Sequence, residues 1–351
     1  MRAVTIHAAG DIRVDKVADA QLEKPTDAVI KVAAACVCGS DLWPYRSDEE
    51  VDPGARMGHE YVGQVTEIGA DVQDIQVGDW VVGSFVASCG KCEICQAGYP
   101  SGCVNREFMG GVGTQAEYAR IPLADGTLVK LPAEPNDDQL RHVLAASDVL
   151  GTGWFGADVA GAGEGKIIGV VGDGAVGLSA VLAAKQMGAE RIVVSSRHET
   201  RQELAKKFGA TDIIPERGEE FVEKVKELTD GVGLHGCVEA VGTDGSMKQA
   251  IGATRRGGNV GFVGVSHGVE LDGQELFFSQ VSLEGGPAPV RKYLPELVEL
   301  IYAGKITPGD VFDKTLSLDD AAAGYAAMDR REAIKVMLKP YTGSFSLRIS
   351  C

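Results

Sequence analysis

Over the first third of the chain the apolar residues come in short runs punctuated by Gly and Pro: Ala3–Ile6, Val29–Ala35, Tyr61–Ile68, Asp79–Val82 and Ala116–Ile121. This pattern predicts a β-rich domain with irregular loops. Pro132 and Pro135 lead into a helical pattern at Asp138–Ala146. From Lys166 the rhythm changes. Strand-like runs at Ile167–Val171, Arg191–Ser195, Asp212–Ile214, Gly236–Ala240 and Asn259–Val263 alternate with helical segments at Ala175–Gly188, Glu199–Phe208, Glu219–Thr229 and Gly245–Thr254. Alternation of this length predicts a doubly wound parallel sheet, and so an α/β chain of two domains. After about Leu283 the alternation stops; Lys292–Ala303 reads as a helix and Ala333–Leu338 as a closing strand.

Composition changes little in that picture. A chain of 351 residues, 44% apolar and 24% charged, is long enough for two globular cores. No apolar run nears the roughly 18 residues of a membrane span, and Met1–Ile6 reads as a strand rather than an export signal. A cytoplasmic location is expected. With 50 acidic against 34 basic residues the net charge is −16, which disfavours nucleic acid and anionic membranes as partners. An anionic dinucleotide, held by a few local donors, is unaffected by it.

The chemistry begins with cysteine. Cys89, Cys92, Cys95 and Cys103 fall within one short lobe, residues 89–103, among Gly90, Lys91, Gly98, Pro100 and Gly102. Four thiolates complete a tetrahedral zinc and leave no open position, so a metal here is structural. The alternative is an exposed loop of free thiols.

A second motif, Gly172-Asp173-Gly174-Ala175-Val176-Gly177, follows a strand and opens a helix, as a dinucleotide site requires. Gly172 permits the turn, Gly174 the approach of the pyrophosphate and Gly177 close packing of helix on strand, while the helix start at Ala175 and Val176 offers amide donors. An acid closing the next strand would select NAD by bonding the ribose 2′-hydroxyl. This chain reads Ser195-Ser196-Arg197 there, with Arg201 a helical turn on. Serine and arginine suit a 2′-phosphate, which points to NADP(H). A solvated arginine without a ligand is the plainer alternative.

The third motif is Cys38-Gly39-Ser40-Asp41 followed by Gly58-His59-Glu60. Together with the cysteine lobe and the glycine turn, in this order, it resembles the zinc-dependent alcohol dehydrogenases of the medium-chain dehydrogenase/reductase family, over residues 1 to about 340. The resemblance implies a GroES-like catalytic domain at 1–148, a Rossmann domain at 149–284, and a return to the catalytic domain at 285–340. Residues 341–351 run past the family pattern and are expected to be a tail.

Within that resemblance Cys38 and His59 match two ligands of a catalytic zinc, and Asp148 stands where many relatives carry cysteine. Alternation puts Cys36 on the same face as Cys38, so only the Cys-Gly-Ser-Asp context favours Cys38. Glu60 matches a carboxylate beside the metal, and Asp41 one that accepts the ring N–H of His59. Ser40 matches the hydroxyl that takes the substrate proton. Trp43 replaces a relay histidine common in relatives, so the relay is expected to run through nicotinamide ribose hydroxyls and water. Thr152, Val241 and Val263 match positions near the nicotinamide, and Lys335 one near the pyrophosphate. Trp43, Phe85 and Met109 are candidates for an apolar substrate pocket.

The resemblance therefore implies an alcohol dehydrogenase or carbonyl reductase for a small alcohol, ketone or aldehyde, with NADP(H), two zinc ions per subunit and a homodimeric or homotetrameric assembly. A polyol, sugar or amino-alcohol dehydrogenase is the rival enzyme. An NADPH-binding, crystallin-like protein is the non-enzymatic rival.

Overall fold

Ala28–Val37 is apolar at every position except Lys31, and every other position is buried. A strand buried along its length must have its backbone N–H and C=O groups paired on both edges, and it has neighbours there. In the computed structural model, which describes residues 1–47 and 51–341, it pairs antiparallel with Tyr61–Ile68 and with Tyr118–Ile121. Its C-terminal end pairs antiparallel with Lys335–Lys339, the last strand among the described residues, setting Val37 against Val336 and Cys36 against Met337.

These strands belong to a seven-stranded sheet that also holds Trp80–Gly83, Leu128–Lys130 and Phe312–Ser317. Arg2–Ala8 lies between Asp11–Lys16 and Ala55–Arg56 in a separate three-stranded sheet. Contacts gather Met1–Asp148 and the chain from Val290 onward into one unit, and Val149–Pro289 into another.

The second unit holds a six-stranded, all-parallel sheet in the order Asp212–Ile214, Arg191–Ser195, Ile167–Val171, Leu234–Glu239, Thr254–Phe262, Ser282–Gly285. That is the order of a Rossmann sheet. The alternation persists one strand beyond its expected end, because Ser282–Gly285 pairs in parallel with Asn259–Phe262. The segment from Val290 therefore starts the first unit's return a few residues later than position 285.

Several elements escape sequence periodicity. The helix Val149–Val159 is buried from Val149 to Ala157, so it has no polar face to reveal it. A Cβ on its Gly153 would lie 2.5 Å from the backbone N of Ala180, so glycine there lets two helices touch. Asp11–Lys16, Phe312–Ser317 and the helix Ala321–Asp329 also fall where no element was expected. Except for Tyr341, whose hydroxyl donates to Glu117 O at 3.0 Å, the tail expected at 341–351 lies outside the described residues.

Candidate active site

Three separate segments of the first unit converge on one buried cluster. Cys38 follows the end of Ala28–Val37, and His59 and Glu60 immediately precede Tyr61–Ile68. Asp148 lies just after the helix Asp137–Ala146. Its neighbour Ser147 is clamped to the sheet, donating to Gly83 O at 2.6 Å and accepting from Tyr61 N at 3.1 Å. Ligand atoms of Cys38, His59, Glu60 and Asp148 all lie within 4.8 Å of one another, and all four residues are buried.

The spacing suits zinc. Donors bound tetrahedrally at ordinary Zn–N, Zn–O and Zn–S lengths stand about 3.3–3.8 Å apart. Here His59 Nε2 is 3.3 Å from Asp148 Oδ2, and Cys38 Sγ is 3.6 Å from the same oxygen. Glu60 Oε2 is buried without a hydrogen-bond partner among the described residues, an orphaned acceptor at the edge of the cluster.

Asp41 stands behind His59. Its Oδ1 is 3.3 Å from His59 Nδ1, which leaves Nε2 to face Asp148. Its Oδ2 accepts from Cys38 N and from Gln115 Nε2, both at 3.0 Å. Gln115 is held in turn by the hydroxyl of Tyr325 at 2.9 Å. Gln115 was not expected from sequence; only the fold brings it so close that a Cβ on Gly58 would come within 2.4 Å of its side chain. Burial lowers the His59 pKa, but the charges of Asp41 and Cys38 and the hydrogen bond to Asp148 hold it well above the ordinary value. The anionic groups around the ring thus favour positive charge within the cluster.

Lys335 departs from its expected setting. Its ammonium is buried and donates to Glu60 Oε1 at 2.7 Å and to Val37 O at 3.3 Å. Burial alone would lower its pKa, yet Cys36 and Glu60 raise it well above the ordinary lysine value. The charge is spent on the metal cluster's own carboxylate.

The expected pocket residues divide. Phe85 is buried beside His59, with ring centroids 6.3 Å apart, and Trp43 is 43% exposed on the short helix Leu42–Arg46. Met109 is a correction. It is fully buried in the cluster with Ile30, Tyr61 and Val65, so it packs the sheet and presents no surface to a ligand. The residue before it lies beside the cluster instead. Phe108 is 59% exposed, 6.4 Å from the His59 ring and 5.9 Å from Phe85. Ser40 is half-buried in the turn in which Asp41 N donates to Cys38 O at 3.2 Å.

The cysteine lobe forms a second cluster. Sulfur separations are 3.5 Å for Cys89–Cys103, 3.5 Å for Cys92–Cys95 and 3.8 Å for Cys92–Cys103. Amides of Cys89 and Asn105 both point at Cys103 Sγ at 3.3 Å. Burial raises the Cys89 thiol, but hydrogen bonds from the Lys91 amide and Asn105 bring it down to about 6. Burial and the neighbouring thiols Cys92 and Cys103 push Cys95 up to about 12. Four thiolates coexist here only around a cation, and a zinc ion would meet that need with a complete tetrahedral donor set.

In the second unit the glycine turn has the required form. Gly172 has φ +117°, with Val241 and Ala240 packed where a side chain would go. Nothing lies within 4 Å of a Cβ on Gly174, which leaves its backbone open to a phosphate. A Cβ on Gly177 would sit 1.9 Å from Gly172 O. Ala175 and Val176 begin the helix Ala175–Gln186 and are half-buried.

Beyond the turn, Ser195 is spent internally, on Glu216 O at 3.4 Å and Gln249 Nε2 at 3.2 Å. Ser196 instead donates to Asp173 Oδ2 at 2.8 Å, with Arg201 on the same carboxylate and Arg197 exposed. Thr152 is buried in its helix. Val241 is 45% exposed and Val263 half-buried, each with its N–H on Glu239.

Comparison with known proteins agrees with this geometry. Residues 24–133 match the alcohol dehydrogenase GroES-like domain, and residues 175–303 match the zinc-binding dehydrogenase domain. The probable zinc-binding alcohol dehydrogenase Rv1895 of Mycobacterium tuberculosis is 36% identical, over 97% of this chain and 89% of that protein. Zinc-type alcohol dehydrogenase B of Aspergillus flavus is 32% identical, over 97% and 81%. The solved structure of alcohol dehydrogenase TADH from Thermus sp. ATN1 superposes with a TM-score of 0.88 at 33% identity, covering 97% of this chain and 99% of that one.

The chain belongs to the zinc-dependent alcohol dehydrogenases of the medium-chain dehydrogenase/reductase family. No helix among the described residues is long and apolar enough to cross a membrane.

Proposed function

We propose that this chain is an NADP(H)-dependent alcohol dehydrogenase or carbonyl reductase acting on small alcohols, ketones and aldehydes that are apolar beside the reacting carbon. The observation that carries the reading is the buried triangle in which Cys38 and His59 both stand at zinc spacing from Asp148. These three hold the catalytic zinc, Glu60 stands beside it, and the four cysteines hold a structural one. Zinc in the triangle supplies a Lewis acid for the alcohol or carbonyl oxygen.

The side chains do the rest. Asp41 fixes the His59 ring with Nε2 inward. Ser40 would take the substrate proton at its hydroxyl, and with Trp43 in the usual relay position this chain offers no histidine there to carry it further. Phe85 and Phe108 give the substrate an apolar wall, which favours a plain alkyl or aryl carbinol over a polyol. Ser196, Arg197 and Arg201, with no acid closing the strand Arg191–Ser195, favour a 2′-phosphate on the adenosine ribose.

The protein works as a homo-oligomer in this reading. Ser282–Gly285 is the last strand of its sheet, and Phe277 and Phe278 are 75% and 62% exposed just before it. Light scattering tests the assembly. An NADPH-oxidation screen over ketones and aldehydes, repeated with NADH, tests the activity and the cofactor. Two zinc ions per chain are expected by elemental analysis. A count of one, or NADPH binding without turnover of any carbonyl, would sink the enzymatic reading.

A further inference from the structure

Asp173 stands between the two glycines that make the dinucleotide turn, at a position whose side chain the turn itself does not specify. Its carboxylate faces the end of the next strand. Oδ2 accepts from the Ser196 hydroxyl at 2.8 Å, and Oδ1 pairs with Arg201 Nη1 at 3.3 Å. The same Arg201 nitrogen reaches the Asp173 backbone carbonyl at 3.3 Å. The Asp173 and Arg201 side chains are only 12% and 14% exposed, and Ser196 is 2% exposed. Two of the groups that suit a 2′-phosphate are therefore already bonded to an anion.

We propose that Asp173 tunes the choice between NADPH and NADH by holding Ser196 and Arg201 on a carboxylate. The usual selector is an acid at the end of the second strand, which accepts from the ribose 2′-hydroxyl. Here that place holds Ser196, and the carboxylate arrives beside it from the turn instead. A 2′-hydroxyl finds in Asp173 an acceptor much like the usual one. A 2′-phosphate must draw Ser196 and Arg201 away from a carboxylate of its own sign. Asp173 thus narrows the preference for NADPH that Ser196 and the arginines create, and leaves NADH usable. This inference rests on the reading of Ser196 and Arg201 as ribose-end groups.

The test is Asp173→Asn, which removes the charge and keeps an acceptor for Ser196. Two quantities are measured in wild type and variant. One is the ratio of kcat/KM for NADPH to that for NADH. The other is the Kd of adenosine 2′,5′-bisphosphate against 5′-AMP by calorimetry. The kinetic ratio is expected to rise about tenfold, the scale of one charge-assisted contact, with tighter bisphosphate and unimproved AMP. A ratio that stays within about twofold overturns the proposal, as does a parallel loss of both cofactors, which marks Asp173 as a mere brace of the turn.

Arg201→Ala separates this from the parent reading. If it costs NADPH selectively while Asp173→Asn changes nothing, the NADPH preference stands and the role of Asp173 falls. If the wild type favours NADH and Asp173→Asn moves the ratio towards NADPH, the preference falls and the tuning role of Asp173 stands.

Discussion

Lys335 donates to Glu60 Oε1 at 2.7 Å across 275 positions of sequence, with both side chains buried at 1% and 0% exposure. The strand Lys335–Lys339 thereby places a cation beside the carboxylate that borders the metal cluster. Breaking such a pair strands a charge, whereas neutralising both ends does not. Lys335→Met is expected to destabilise the protein by about 3–5 kcal/mol. Lys335→Met with Glu60→Gln should recover most of that loss. Urea unfolding of the zinc-loaded proteins measures both; equal stability of single and double variants would contradict the pairing argument.

Asp41 bonds the Cys38 amide and Gln115 while it faces His59. Asp41→Asn is expected to weaken zinc at the Cys38 cluster by about 10–100-fold, with a matching fall in activity. The four-cysteine zinc should be untouched. Chelator competition read by zinc stoichiometry resolves the two sites, and parallel loss from both would mean a general folding defect.

Phe108 is exposed and leans towards both His59 and Phe85. Phe108→Ala should raise KM for a long-chain or aryl ketone by about tenfold, while leaving the smallest aldehydes little changed. An equal effect on every substrate would show that Phe108 supports the cluster instead of selecting what reaches it.

Cys103 is fully buried and receives two amide hydrogen bonds at its sulfur. Cys103→Ser is expected to lower the zinc count from two to one. Little apolar burial supports this lobe, since the short helix Glu93–Gln96 buries no residue, so Tm should fall too. Each kcal/mol lost corresponds to about 2–4 °C in a domain of 150–250 residues. Calorimetry showing an unchanged Tm at one zinc per chain would refute a structural role.

Acid should destabilise the protein through its paired carboxylates. Burial raises the Glu107 pKa, but Lys24 and Arg120 outweigh it and hold the group below its ordinary value. Asp212 is likewise raised by burial and lowered further by Arg191 and Thr211. A depressed folded pKa means stability that is complete above the ordinary carboxylate range and lost as the pH falls through the folded value. Glu107→Gln should therefore be less stable than wild type near neutrality, and the gap should close towards about pH 3. Denaturation midpoints along that range decide it; a constant gap would deny the ionic contribution.

The chain's own order of residues reveals much of this, though unevenly. Strand Tyr61–Ile68 and the strand, turn and helix around Gly172 stand where their periodicity and glycines put them. The metal clusters were legible because zinc accepts few donor types, and those donors sit in recognisable local contexts. Phe108 and Met109 show the limit. They are adjacent and both apolar, yet one is 59% exposed and the other 0%. Successive side chains on extended backbone, the conformation of Phe108, point opposite ways, and no composition rule says which way is out.

Local pattern therefore gave the four-cysteine set and the glycine turn, since each depends on residue type at short spacing, whereas Cys38, His59 and Asp148 lie far apart in the chain and came only with the family resemblance. Tertiary packing alone decided which groups meet across distance. It brought Lys335 to Glu60, Gln115 to Asp41, and Asp173 to Ser196 and Arg201. Such encounters depend on strand register and on where each turn aims a side chain, and neither is a property of any one segment.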